Sequence, residues 1–167
     1  MRALVIAASV AAALGAGAVA SSAQAPRDPA PALATAGCEG TLPAPAAGTP
    51  ATVVKFEGIA GEFAVDQFRI GAAAPGGHRP LVLGKPLDKA SPQLLARLVA
   101  GTHVPKLTLV QPRLKYTLTD VTVVDVEHTG RVAANRDRVC LTYAQGEMEY
   151  TPENQDGSSG PPVKTQF

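Results

Sequence analysis

A chain of 167 residues, 46% hydrophobic and 17% charged, has room for one globular domain with attachments, although much of its apolar count is alanine near the N-terminus. Its 15 Lys and Arg balance 14 Asp and Glu, and aromatics make up 4% with no Trp. Balanced charge excludes a field that would gather nucleic acid or anionic lipid, and so few aromatics exclude the stacking platforms of single-strand binders.

Arg2 precedes an apolar run from Ala3 to Ala20 and a set of small residues, the layout of a secretory signal peptide over residues 1–20. Cleavage after Ala20 fits better than after Ala25, which would leave Pro26 at the new terminus. The run is rich in Ala and Gly and weakly hydrophobic, so no stable membrane insertion is expected after cleavage, a retained anchor being the alternative. The expected location is the periplasm or the outside of the cell. Residues 21–51, with APRDPAPA and TLPAPAAGTP, predict a disordered Ala/Pro-rich linker.

The folded domain is expected over residues 52–167. Val53, Val54, Phe56 and Ile59, then Ala64 to Ile70, form two strand-like runs that pair as a hairpin. Pro75, Gly76, Gly77 and Pro80 mark residues 72–80 as a mobile loop. From Leu81 to Val110 the chain reads strand, tight connection, short helix and strand. Ser91 is placed as the helix cap and Pro92 at the first helical position, Leu94, Leu95, Leu98 and Val99 recur at helical spacing, and Gly101 closes the segment. Such a short helix needs a sheet to lie on.

Between Leu114 and Glu127 the apolar parity changes. Leu114, Tyr116 and Leu118 share one side, Val121 and Val123 take the other, and Val124 and Val126 switch back, so the strand must bend or bulge around a curved sheet. Arg138 to Tyr150 is read as one further run that repeats the device at Gly146, and PPVKTQF as a tail able to supply an edge strand. The fold class that follows is mainly β: a small antiparallel barrel or two-sheet domain with one short helix packed on its side.

Several of these segments, in order, resemble the haemolysin-coregulated protein (Hcp) family, the ring-forming tube subunits of type VI secretion systems. The most specific is KPLDKASPQLLARLVAG (residues 85–101), followed by KLTL (106–109), YTLTDV (116–121), RVCLTYA (138–144) and the exit YTP (150–152). The resemblance implies a β-barrel with a flanking helix, and self-association in a ring, possibly a hexamer, of head-to-tail subunits able to stack into a tube. The segment around Pro75-Gly76-Gly77 departs from the family in lacking a longer loop, and the leader departs because tube subunits leave through the secretion machine itself. The expectation is therefore an exported Hcp-like structural protein, with a monomeric secreted or periplasmic binding module of the same fold as the alternative.

In an oxidising compartment Cys38 and Cys140, the only cysteines, are expected to form a disulfide, with free thiols or an intermolecular bridge as alternatives. Cys140 has the opposite parity to Val139, Leu141 and Tyr143 and should point outward, where the linker can reach it. The chain-entropy model allows such a long loop about 4 to 5 kcal/mol at most.

No catalytic, cofactor or metal site is expected. His78, His103 and His128 lack paired ligand spacing, His78 and His128 being read as solvent-exposed and His103 as a cation near a helix terminus. Asp66, Asp88, Asp120, Asp125, Glu147 and Glu149 show no acid–base pairing motif, and no Gly-x-Ser-x-Gly elbow occurs. Asp88 is expected to bond backbone amides in the turn before the helix.

Overall fold

The computed structural model describes residues 37–42, 52–74, 76–130 and 135–167, so the expected signal peptide and most of the linker lie outside the described residues. Strands β1 (Thr52–Phe56), β2 (Glu62–Val65), β3 (Gln67–Ala73), β4 (Gly77–Pro86), β5 (Val104–Gln111), β6 (Leu114–Thr129), β7 (Arg136–Thr142), β8 (Gln145–Tyr150) and β9 (Val163–Gln166) accompany one helix, α1 (Ser91–Ala100). All strand pairings are antiparallel.

Hydrogen bonding runs β2-β1-β5-β6-β7-β4-β3, with β8 on β6 and β9 on β8. The two ends of that path, β2 and β3, are consecutive in the chain and separated only by Asp66, whose N–H donates to the Gly84 carbonyl on β4 at 2.9 Å. The sheet thereby closes on itself, which removes two exposed edges. The run expected over Ala64 to Ile70 is thus two strands, one serving each side of the barrel.

Closure requires β6 to change partners. Its first half pairs with β5 and β8, its second half with β7. Two irregularities turn it. Asp120 adopts a left-handed backbone (φ 52°) between the buried Leu118 and Val121, and the β6–β7 register shifts between Val123 and Asp125. Val121, Val123 and Val126 therefore all meet the core, whereas Val124 packs on the outside against Cys38, Val82 and Cys140. The sequence reading put Val124 on the core side with Val126; the bulge separates them.

The core holds Val54, Phe56, Leu81, Leu83, Leu107, Leu109, Leu118, Val139 and Leu141, all almost fully buried. At about 1.5–3 kcal/mol per buried large aliphatic or aromatic side chain, this cluster is the main driving term. Leu94, fully buried, and Leu98 fix α1 to it.

Two expectations are corrected. The loop expected over residues 72–80 is largely strand: β3 and β4 continue to Ala73 and Gly77, which pair directly, and Gly76 has a positive φ of 65°. Pro80, which has no N–H to give, sits where the β3–β4 register shifts between Arg69 and Gly71, so it interrupts no ladder bond. Likewise Arg138 to Tyr150 is two strands, β7 and β8, joined at Tyr143-Ala144 and serving different parts of β6. Gly146 is required by close approach: a Cβ there would lie 2.5 Å from the Phe167 ring, and Gly146 and Phe167 exchange backbone hydrogen bonds at 3.0 and 2.9 Å.

Candidate assembly surfaces and the buried polar clamp

Parity on β4 and β7 turns two charged side chains inward. Lys85 follows Leu81 and Leu83, and Asp137 precedes Val139 and Leu141, so both project among core residues. Lys85 is 0% exposed; its Nζ reaches Asp137 Oδ2 at 3.0 Å, Ser91 Oγ at 2.9 Å, the Pro86 carbonyl at 2.9 Å and Asp88 Oδ1 at 2.8 Å. The Phe63 ring centroid lies 5.4 Å from the same ammonium. His128 on β6 completes the set, its Nδ1 lying 2.7 Å from Asp137 Oδ1.

Ser91 is the hinge of this clamp and is not the helix cap. The N-cap is Ala90, in right-handed helical conformation and without a side-chain capping bond, and Pro92 falls within the first turn after Ser91. Ser91 Oγ instead accepts from Lys85 and from the Asp88 N–H at 3.0 Å while donating to Asp137. The buried carboxylate and ammonium outcompete the free helix N–H groups for that hydroxyl. Asp88 does bond the turn backbone, its Oδ1 accepting from the Ala90 N–H at 2.8 Å. Gly101 ends the helix in a left-handed conformation (φ 59°), with its N–H on the Leu98 carbonyl at 3.2 Å and that of Thr102 on the Arg97 carbonyl at 3.1 Å.

Burial pushes the Asp137 carboxyl towards protonation, but hydrogen bonds from Ser91, His128 and Lys85 and the Lys85 charge outweigh it, so its pKa falls below the usual carboxylate range. Ser91 Oγ is buried and gives its proton to a carboxylate, an arrangement that holds a helix to a sheet and offers no reachable nucleophile. The sequence reading overlooked Lys85 and Asp137. The signal was present: each is a charged residue on the apolar parity of its strand.

On the opposite face of the same sheet, Cys38 and Cys140 form a disulfide with sulfurs 2.02 Å and Cα atoms 5.7 Å apart. Cys140 points outward with Val82. Arg69 Nη2 donates to the Gly37 and Glu39 carbonyls, both at 2.8 Å, and Leu42 packs beside the bridge. Residues 37–42 of the expected linker are therefore a strap across β3, β4 and β7.

A third region is the overhang of β6, β8 and β9 beyond the barrel. Its outer face carries the cross-strand row Lys115, Glu149, Lys164, with Lys164 Nζ 3.0 Å from Glu149 and 3.6 Å from Glu147. Its other face carries Tyr116, Gly146 and Phe167, and the row Leu114, Tyr150, Val163. Phe167 packs edge-on against Tyr116 and Tyr143 at 6.5 and 6.1 Å. Burial, and then the neighbouring Tyr116, push the Tyr143 hydroxyl up to about 12. Among the described residues strand β9 pairs only with β8, and Val163 on it is 63% exposed. On α1, Val99 is 82% exposed and Leu95 and Leu87 are exposed nearby.

The remaining candidate residues lie apart. His78 is on β4 and exposed, as expected, with its ring centroid 5.1 Å from that of Tyr143. His103 pairs with Asp120 at 2.6 Å rather than with a helix carbonyl. Asp66 pairs with Arg136 at 2.5 Å. Among the described residues no three His, Cys, Asp or Glu side chains are grouped to hold a metal, and no helix is long and apolar enough to cross a membrane.

A closed barrel braced by α1 thus holds Lys85, Ser91, Asp137 and His128 in one cluster and keeps its open features on edges and faces. Residues 67–150 match the family model described as type VI secretion system effector, Hcp, and the chain belongs to that family. No curated protein sequence matches it. Among solved structures it is similar to Hcp1 of Salmonella typhimurium (26% identity, TM-score 0.60, 70% of this chain and 93% of that one). Hcp2 of the same organism is similar at 24% identity (TM-score 0.61, 70% and 94%). A type VI secretion system effector from Yersinia pestis shares the fold at 19% identity (TM-score 0.63, 70% and 98%).

Proposed function

We propose that this chain is an exported, non-enzymatic Hcp-like subunit that acts by self-association, its signal peptide directing it to the periplasm or beyond and its barrels joining head to tail in a ring, possibly of six. The observation that carries this reading is the outer edge of β9, unpaired among the described residues, on a domain that belongs to a secretion-system family. A closed ring of identical subunits needs complementary edges and faces and no reactive group. Size-exclusion chromatography with light scattering on the mature chain at high micromolar concentration tests it. A mass near six subunits is expected, and a monomer overturns the ring.

The pairing of Ala73 with Gly77 favours the second reading, a monomeric binding module, because so short a β3–β4 connection offers little to a neighbouring subunit. A monomer in the same experiment selects it. Mass spectrometry of the exported protein tests the leader, with a new N-terminus after Ala20, or after Ala25, as the expected result.

A further inference from the structure

Strand β9 is held to the barrel by little besides its own backbone. All four of its residues are exposed, and among the described residues it pairs only with β8. Its apolar attachment is Phe167, directly after the strand. That ring fills the space left by the missing side chain of Gly146 and lies 6.1, 6.2 and 6.5 Å from the rings of Tyr143, His78 and Tyr116. A ladder of backbone bonds with one aromatic anchor seated in a pit is how an extended segment docks on a sheet edge. The acceptor, made of the β8 edge and the Gly146 pit, belongs to the barrel; the donor is only tethered to it.

The tether is far longer than pairing within one chain needs. Tyr150, the last residue of β8, pairs directly with Val163, the first of β9. Residues 151–162 therefore join two points about 5 Å apart, a gap that a turn of about two residues closes. Fully extended, the same segment reaches about 40 Å. Its slack is folded into an outlying turn by the Glu153–Ser159 bridge and by Asn154, whose backbone and side-chain N–H groups each donate to Ser158 at 2.8 Å. Residues 153–159 are all exposed, so opening that turn uncovers almost no apolar surface from them.

We propose that β9 is an exchangeable strand: in the assembled state it leaves its own β8 and docks on the β8 edge of a second copy of this chain, with Phe167 in that copy's Gly146 pit. This rests on the self-association proposed above. Every contact that β9 and Phe167 make with the barrel is the same in either arrangement, so the choice falls to concentration. A tethered strand meets its own acceptor at an effective concentration on the order of millimolar. A lone chain thus keeps β9 at home, whereas neighbours held side by side in an assembly compete for it. When each copy gives one strand and takes one, a closed ring has no vacant acceptor.

The test uses the cross-strand pair Glu149 and Lys164, whose side chains meet at 3.0 Å. In the mature Glu149→Cys/Lys164→Cys chain, assembled at high micromolar concentration and then oxidised, the new bridge records which copy β9 lies on. A non-reducing denaturing gel should show covalent multimers, absent from the wild type, whose Cys38–Cys140 bridge is internal. Adding Phe167→Ala should lower the multimer yield at least fivefold. Replacing residues 151–162 by Asn-Gly, which leaves only the chain's own acceptor in reach, should abolish the multimers. Light scattering separates the exchange from the ring: a ring whose new bridges are all internal overturns the exchange and leaves the ring, and a bridged dimer supports the exchange and overturns the ring. A monomer with internal bridges overturns both. Equal multimers in the wild type, or multimers undiminished by the shortened connection, also overturn the exchange.

Discussion

The two ends of α1 are each marked by a histidine–aspartate pair of nearly the same length. At the N-terminal end His128 meets Asp137 at 2.7 Å; past the C-terminal end His103 meets Asp120 at 2.6 Å. The Asp137 side chain is 0% exposed and shares its carboxylate with Lys85 and Ser91, whereas His103 and Asp120 are 62% and 60% exposed and have only each other. Distance alone would rank them equal. Burial and connectivity separate them, because a desolvated carboxylate depends on every partner and a hydrated one on none.

The largest way to break that contrast is to remove one member of the buried end. Lys85→Met leaves Asp137 without its ammonium and should cost about 3–5 kcal/mol of unfolding free energy by urea denaturation. The double variant Lys85→Met/Asp137→Leu should recover most of that loss, since apolar replacement of a whole buried pair is close to neutral. A loss in the double variant equal to the sum of the two singles would show that the groups act independently, against the clamp.

Acid probes the same end without mutation. Asp137 has a folded-state pKa below its unfolded value, so its contribution is fully present above the ordinary carboxylate range and is lost as pH falls through the folded pKa. Wild-type stability should therefore drop as pH is lowered from neutral into and below that range. The drop should be shallower in the double variant, as read from urea midpoints across pH.

The disulfide fastens the outer face of the strand whose inner face carries Asp137, so it sharpens the comparison between charge and covalent anchoring. Cys38→Ser/Cys140→Ser should cost about 2–4 kcal/mol, through the freedom restored to an unfolded loop of sequence separation 102. Because the effect lies in the unfolded chain, it should leave the acid response intact. A disulfide variant that also lost its pH dependence would mean that strap and clamp form one unit.

How much of this was legible follows from which signals are local. Helix, strands and the outward parity of Cys140 were readable because each depends on a spacing of two to four residues. The partition of β6 was readable as parity changes at Val121 and Val124, but the side taken by Val124 depends on which residue the bulge leaves unpaired, a choice made by β7. The Pro75-Gly76-Gly77 punctuation was misread as an open loop because Gly supplies equally well the positive φ of a tight hairpin. Ser91 was misassigned as a cap because its competing partners, Lys85 and Asp137, are 6 and 46 residues away.

At the helix's other end the effects should be small. Gly101→Ala places a Cβ in the left-handed region at φ 59° and should cost about 1 kcal/mol, and with nothing within 4 Å of that Cβ the loss would be purely conformational. His103→Ala should change stability by less than about 0.5 kcal/mol, because an exposed pair exchanges its hydrogen bond for water. The same truncation at His128 removes a donor from the buried carboxylate and should cost about 1–3 kcal/mol. If the two histidine variants gave equal losses at neutral pH, burial would not be what distinguishes the two ends, and the clamp would be no stronger than a surface contact.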